Sequence, residues 1–404
     1  MDKLNIRDVD VNGKRVLVRV DFNVPLGYIT GRIKDDSRIK AALPTIEYLI
    51  ENGAKIILCS HLGRPKGKVV AKLSLSIVAK RLSEILRQPV TFTGDCIGHK
   101  VEKVVAKLEK GDVMLLENLR FHSLEERSGK RFIRALANLG DIYVNDAFGT
   151  SHRSHASIVG VTHYLPAVSG LLLEKEITAL GSVLEEPLHP FGVLLGGAKV
   201  SDKVAMLDNI MGKVDYIIIG GGMAATFLKA KGYEVGQSLI DDSVDTAARL
   251  IKKAENNHVQ LILPDDVMIA DDICEEAETK NVNVMEIPKS KRIVDIGDLS
   301  ISNFTKVLEK CRTVFWNGPM GIYEIIRFSE GTKAMANIIA GLNATTIIGG
   351  GSTAEIVTEM KLAEKMTFVS TGGGASLRFL SGKTLPGVEA LLGKKAALKA
   401  ASSR

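Results

Sequence analysis

Aromatic residues are scarce: Phe, Trp and Tyr make up 5% of the 404 residues, with a single tryptophan. So few stacking platforms, with basic residues interspersed among acids and no Lys/Arg-rich tail, argue against nucleic acid as the partner of the +6 net charge. Anionic small molecules match that charge better. Cysteine is also sparse. Cys59, Cys96, Cys274 and Cys311 lie far apart without metal-site spacing, and read as free thiols of a reducing compartment. No apolar run approaches the ~18 residues of a membrane span, and the N-terminus lacks the apolar core of a signal peptide. A cytoplasmic enzyme is the expectation. The Walker pattern G-x-x-x-x-G-K-[ST] occurs nowhere, so a P-loop is excluded.

What is present is an alternation of short β-branched runs with amphipathic helices, the pattern of parallel α/β architecture. Single cores stop growing near ~250–300 residues, so this length implies two or three domains. Strands are expected at Arg15–Val20, Lys55–Ser60, Val113–Leu116 and Ile142–Asn145 in the first half. In the second they are expected at Phe191–Leu195, Tyr216–Ile219, Leu261–Leu263, Thr313–Phe315, Thr346–Ile348 and Phe368–Val369. Helices such as Ser76–Leu86 and Asp202–Met211 cover the sheets. Leu171–Leu184 reads as one long helix joining two open sheets, and Thr384-Leu385-Pro386-Gly387 breaks the pattern before a last helix of Val388–Leu398. The expected domains are 1–170, then 171–385 with the linking helix at its start, then a segment 386–404.

Three glycine triplets stand at strand-to-helix junctions in the second half: Gly220–Gly222, Gly349–Gly351 and Gly372–Gly374. Glycine lets an anion approach main-chain N–H groups, and the start of a helix offers unpaired donors and a positive dipole end. At least two of the three are read as facing a phosphorylated ligand. First-half strand ends carry polar and basic groups instead: Asp21-Phe22-Asn23, His61-Leu62-Gly63-Arg64, Glu117-Asn118-Leu119-Arg120, and a run from Asn145 to His155 that includes Arg153. With Arg38 nearby, these arginines would build a cationic bowl for a small polyanion. His61, His152 and His155 match no standard metal spacing, and hydrogen bonding suits them better than zinc.

After the strand ending at Leu195 comes Gly196-Gly197-Ala198-Lys199, with Lys203 four residues on. If helical, the two lysines share a face and repel each other unless an anion sits against them. Gly220–Ala225 satisfies the relaxed dinucleotide pattern G-x-G-x-x-A, which leaves an NAD(P)-dependent oxidoreductase as one alternative and a non-catalytic polyanion-binding protein as another.

VDFNVP (Val20–Pro25), HLGRPKG (His61–Gly67), LLENLRFH (Leu115–His122), NDAFGTSHRSHAS (Asn145–Ser157), LGGAKVSDK (Leu195–Lys203), IIGGGMAATFL (Ile218–Leu228), FWNGPMGIYE (Phe315–Glu324) and STGGGASLRFL (Ser370–Leu380) together resemble the phosphoglycerate kinase family, in order and over nearly the whole chain. The resemblance implies two Rossmann-like three-layer domains that close about a hinge, the C-terminal segment returning to the first. It implies a monomer exchanging a phosphoryl group between 1,3-bisphosphoglycerate and ADP, with Mg²⁺. It places 3-phosphoglycerate on Asp21, Phe22, Asn23, Arg38, His61, Leu62, Gly63, Arg64, Arg120 and Arg153. The nucleotide falls to Lys203, Gly221, Gly222, Asn317, Glu324, Gly350, Gly351, Ser352 and Thr353. Arg38, Lys199, Gly351 and Gly373 would serve the transferring group. Two positions depart from the family pattern: Ser352 stands where an acid usually serves the metal, and Ile293 where a glycine usually lies against the base. Asp202, between the two lysines, is the expected substitute for the missing acid.

Overall fold

The computed structural model describes residues 2–27 and 30–394. The described chain divides into two compact units, one formed by the residues up to Thr178 with those from Thr384 on, the other by Ala179–Lys383.

The first unit is built on six parallel strands, β1 (Arg15–Arg19), β2 (Lys55–Cys59), β3 (Val90–Phe92), β4 (Val113–Leu115), β5 (Ile142–Asn145) and β6 (Ala167–Ser169). They are ordered β3-β4-β2-β1-β5-β6. Five helices accompany them: α1 (Ser37–Glu51), α2 (Ser76–Leu86), α3 (His99–Val105), α4 (Ser123–Glu126) and α5 (Lys130–Ala137). The strands are near-continuous apolar runs because a parallel sheet is covered on both faces, and Val16, Val18, Ile56, Leu58, Val113 and Val144 fill one core. The chain starts in the middle of the sheet and later returns to the other side of β1, so strand order reverses between β1 and β5. Ligands of open α/β sheets bind beyond the strand ends at such a reversal.

Helix α6 (Leu171–Glu185) follows. Its first N–H groups are capped by Asp146, whose Oδ1 accepts from Leu172 at 2.9 Å and Leu173 at 3.1 Å. The boundary between the units falls inside α6, after Thr178, rather than ahead of it.

The second unit has its own six-stranded parallel sheet, ordered β15-β14-β13-β7-β8-β9. One half of the sheet is β7 (Phe191–Leu195), β8 (Tyr216–Ile219) and, at the edge, β9 (Gln260–Ile262). β13 (Thr313–Asn317), β14 (Thr345–Gly349) and β15 (Phe368–Val369) lie on the other side of β7. Here the order reverses between β7 and β13. Three further strands, β10 (Asp266–Ala270), β11 (Thr279–Asn283) and β12 (Arg292–Ile296), form a small antiparallel sheet that the sequence reading did not anticipate. The helices of this unit are α7 (Val204–Ile210), α8 (Gly221–Ala230), α9 (Val244–Asn256), α10 (Asp298–Leu308), α11 (Glu330–Gly341), α12 (Gly351–Glu359) and α13 (Gly374–Leu380). A short helix, α14 (Pro386–Glu389), belongs to the first unit. Gly387 N donates to the Ser151 carbonyl at 2.8 Å and Leu392 N to the Ala167 carbonyl at 2.9 Å. The part of the expected last helix beyond Lys394 lies outside the described residues. Among the described residues no helix is long and apolar enough to cross a membrane.

Phe304 and Trp316 are both fully buried in one core of the second unit. Phe304→Ala is expected to lower stability by about 3–5 kcal/mol. Denaturant titration followed by the fluorescence of Trp316 checks this.

Candidate active site

In the first unit, the ends of β1, β2, β4 and β5 bring the polar groups together. Asp21 Oδ2 accepts from Arg38 Nη1 at 2.5 Å, and Asp21 Oδ1 lies 3.7 Å from His61 Nδ1. Burial works to raise the Asp21 carboxyl, but nearby positive charge, Arg38 first, outweighs it and holds the pKa at about 2. Asn23 Oδ1 accepts from Gly63 N at 2.8 Å, tying the first loop to the second. Arg120, 5% exposed, donates to the Gly63 carbonyl at 2.8 Å and lies 3.3 Å from Glu126. Its pKa is pulled down to about 10 by burial and then by the Arg153 charge. His155 is held at about 4 by burial and then by Arg153 and Arg120. Arg153 Nε is buried without a partner. A crowd of guanidinium groups with an unspent donor has the chemistry to hold an anion.

Two expected binding residues take a different part. Phe22 and Leu62 are buried in the hydrophobic core, 0% and 1% exposed. Their side chains hold the loops down, and their backbone helps: Phe22 N donates to Ser60 Oγ at 2.9 Å, and the Leu62 carbonyl accepts from Asn118 Nδ2 at 2.8 Å. Arg64 is exposed at the rim.

In the second unit, the loops after β7, β8 and β13 pack backbone against backbone. Gly197 N donates to the Pro319 carbonyl at 2.9 Å, and Gly221 N to the Met320 carbonyl at 2.9 Å. Gly221 has φ +64°, and a Cβ there would lie 2.5 Å from Gly197 N. Gly318 has φ +98°, and its Cβ would meet the Gly196 carbonyl oxygen at 2.4 Å. The first glycine triplet is therefore required by steric packing, and its N–H groups at Gly220 and Gly221 are spent on protein carbonyls. Gly351, Gly373 and Gly374 differ. A Cβ at any of them would meet nothing within 4 Å, so the starts of α12 and α13 stand open.

Lys199 and Lys203 do not share a helix face, because the turn after β7 uses up the chain as far as Lys203 and α7 begins only at Val204. Lys199 is exposed, whereas Lys203 is 6% exposed and folds its Nζ back over Gly197. Burial lowers the Lys203 pKa, and Asp202 works against that. Asp202 is exposed. Ser352 hydrogen-bonds with the Tyr323 side chain. Thr353 is fully buried and accepts from Gly318 N at 2.7 Å, so its hydroxyl fastens the β13 loop to α12. Asn317 Nδ2 is buried and unpartnered. It would come within 2.8 Å of a Cβ at Gly350, where φ is +91°.

A cavity of about 440 Å³ opens beside these loops, lined by Gly197, Gly221, Gly222, Ile293, Asp295 and Glu324 among others. Ile293 comes from β12, so the small antiparallel sheet supplies one wall. Sequence reasoning also missed Arg19, buried at the end of β1, whose signal was an arginine inside an apolar strand. It missed Asp95, Cys96 and His122 too, whose ligand atoms all lie within 4.8 Å of one another. Asp95 Oδ1 and His122 Nε2 are hydrogen-bonded at 2.7 Å.

Two parallel α/β units, one carrying a guanidinium bowl and the other a glycine-lined cavity beside open helix starts, define a phosphotransferase. The family model described as phosphoglycerate kinase matches residues 6–383. Phosphoglycerate kinase of Pelotomaculum thermopropionicum is 53% identical over 395 residues, 98% of this chain and all of the relative; that of Moorella thermoacetica is 51% identical with the same coverage. The solved phosphoglycerate kinase structure from Coxiella burnetii aligns with a TM-score of 0.83 at 39% identity, covering 96% of this chain and 98% of the other. That from Pyrococcus horikoshii OT3 reaches 0.85 at 32% identity with the same coverage. The chain belongs to the phosphoglycerate kinase family. It is an enzyme that transfers phosphoryl groups to and from a carboxyl group, and the oxidoreductase alternative finds no support.

Asp295, in the cavity wall, is 3% exposed and accepts from Ile296 N at 2.9 Å and Gly331 N at 2.8 Å. Burial pushes its pKa up to about 7. A carboxyl raised above its unfolded value of about 3.9 stabilises the fold most at low pH, and that contribution is lost as pH rises through the folded value. Unfolding free energy of the native chain should thus fall relative to Asp295→Asn between pH about 4 and about 7. Denaturant midpoints across that range measure it.

Proposed function

We propose that the first unit binds 3-phosphoglycerate in the guanidinium bowl and the second binds ADP or ATP in the glycine-lined cavity, and that the bound groups exchange one phosphoryl group directly. The observation that carries this reading is the buried, unpaired Arg153 Nε among crowded cations, which calls for an anion. The ligands bind to different units, so transfer requires those units to close around both, which also keeps water from the acyl phosphate.

Acyl-phosphate transfer runs between a carboxylate and a nucleotide β-phosphate oxygen. Neither must lose a proton at neutral pH, so alignment and charge neutralisation suffice. Arg38 spends Nη1 on Asp21 and keeps its other donors for the transferring group. Lys199 supplies a mobile cation from the other unit. N–H groups at Gly351 and Gly373 meet equatorial oxygens, while Gly350, Ser352 and Thr353 frame the same helix start. Glu324 at the cavity rim accepts from ribose hydroxyls, and Asn317 offers its unpartnered amide to the nucleotide. Four free cysteines favour a reducing cytoplasm, and donors for both ligands within one chain favour a monomer.

Mg²⁺ accompanies the nucleotide in this reading. Among the described residues, the second unit gathers no group of three metal-ligating side chains. That suits an ion that takes one or two carboxylates and otherwise phosphates and water. Asp202 would hold it, directly or through water, and the ion would supply positive charge to the nucleotide phosphates.

A coupled assay for ATP formation from ADP and 1,3-bisphosphoglycerate tests the reading; turnover of a nicotinamide cofactor, or no turnover, would replace it. Arg38→Ala and Lys199→Ala are each expected to lower kcat by about 10²-fold or more while substrate affinities change less. A raised KM with near-normal kcat would make them ground-state binders. For the metal, Asp202→Ala should weaken Mg²⁺-dependent ADP binding more than Ser352→Ala, and Ser352→Asp should preserve or tighten it. Titration calorimetry of ADP with and without Mg²⁺ reads both.

A further inference from the structure

His61 sits at the back of the guanidinium bowl, 4% exposed, with Asp21, Arg19, Arg120 and Arg38 as the charged groups that face it. Its Nδ1 lies 3.1 Å from Arg19 Nη2 and 3.7 Å from Asp21 Oδ1. The two neighbours ask for opposite ring states. A carboxylate accepts, so it would favour a proton on Nδ1; a guanidinium only donates, so it needs the Nδ1 lone pair. Distance decides between them, because 3.1 Å is a hydrogen bond and 3.7 Å is not. The lone pair stays on Nδ1, and the single proton of a neutral imidazole is left on Nε2.

Arg19 is itself held from behind. It is 1% exposed, and its Nε donates to Ser157 Oγ at 3.0 Å. Ser157 Oγ in turn donates to the buried Glu125 carboxylate at 2.5 Å, and Ser157 N donates to the other Glu125 oxygen at 3.0 Å. Arg19 Nη1 donates to the Val20 carbonyl. Two of the side chain's three nitrogens are thereby held, which aims the third, Nη2, at the imidazole.

We propose that Arg19 is a positioning residue that fixes His61 as the neutral Nε2–H tautomer, so that the bowl presents one directed, uncharged donor to an oxygen of the anionic substrate. This rests on reading His61 as a ligand-facing group of the 3-phosphoglycerate site. Arg38, Arg64, Arg120 and Arg153 already supply charge. An imidazolium among them would add repulsion in the free enzyme, and the opposite tautomer would turn a lone pair toward an anion. Burial, followed by the surrounding guanidinium charges against the pull of Asp21, holds His61 well below its ordinary pKa. The substrate site thus gains a hydrogen bond whose presence does not change through the range where free histidine titrates.

Nitrogen NMR of the full chain labelled with ¹⁵N-histidine, without ligand, tests the tautomer directly. The signal of His61 among the eight histidines is assigned from His61→Gln. The expected pattern is a protonated Nε2, a bare Nδ1 and no titration between about pH 6 and 8. A proton on Nδ1, or an imidazolium in that range, overturns the proposal whatever the enzyme assays give; the coupled assay separately decides the reading of the reaction. Arg19→Met should let His61 change tautomer or titrate near neutrality. KM for 3-phosphoglycerate should rise about tenfold and become pH-dependent, with kcat changing less. Arg19→Lys, whose ammonium also donates to Nδ1, should restore the native His61 signal and most of the affinity. An unchanged His61 signal and KM in Arg19→Met would also overturn it.

Discussion

The first unit depends on keeping several guanidinium groups close together while they are partly removed from water. Arg120 is pulled down to about 10, by burial first and then by the neighbouring charges of Arg153 and Arg19. The crowd survives because three of its cations have fixed partners: Asp21 for Arg38, the Gly63 carbonyl and Glu126 for Arg120, and Ser157 with Glu125 behind Arg19. Repulsion left over after that pairing is interaction free energy reserved for an incoming anion. Removing one buried partner would leave an uncompensated charge, which costs more than the pair itself gained.

In the second unit the governing constraint is steric. The loops after β7, β8 and β13 meet at the strand-order reversal with no room for side chains, so glycine is obligatory at Gly221 and Gly318. That contact makes a rigid floor, and Thr353 extends it to α12 through Gly318. The helix starts at Gly351 and Gly373 stay accessible because the close packing is confined to the neighbouring loops.

Much of this architecture was legible in the sequence because long parallel strands announce themselves as apolar runs. Ile142–Asn145, Phe191–Leu195 and Tyr216–Ile219 fall where the pattern places them. β3 and β6, short strands at the two edges of the first sheet, were not anticipated. β11 reads Thr-Lys-Asn-Val-Asn and is mostly exposed, so that strand gave no hydrophobic alternation to detect. For the site, residue type located the bowl, but only coordinates show that Phe22 and Leu62 face the core and that Lys203 is buried while Lys199 is not. Glycine triplets carry one spelling for two physical demands, close packing and anion access, and the spelling alone cannot separate them. The tautomer of His61 lies further still from the sequence, because it turns on a difference of 0.6 Å between two neighbours.

The discontinuous first unit also has a consequence for biosynthesis. Among its last hydrogen bonds are those made by Gly387 and Leu392, which leave the ribosome after every residue of the second unit. Until then the Ser151 and Ala167 carbonyls lack these donors, and the Asn145 amide, which also donates to Ser151 Oγ at 3.1 Å, lacks the Gly387 carbonyl that accepts from it at 2.9 Å. Domains usually complete themselves in the order in which they are translated. Here that order is inverted: the half that begins first is the half that closes last, and a nascent chain cut short near its end is denied a finished first unit while the second is already whole.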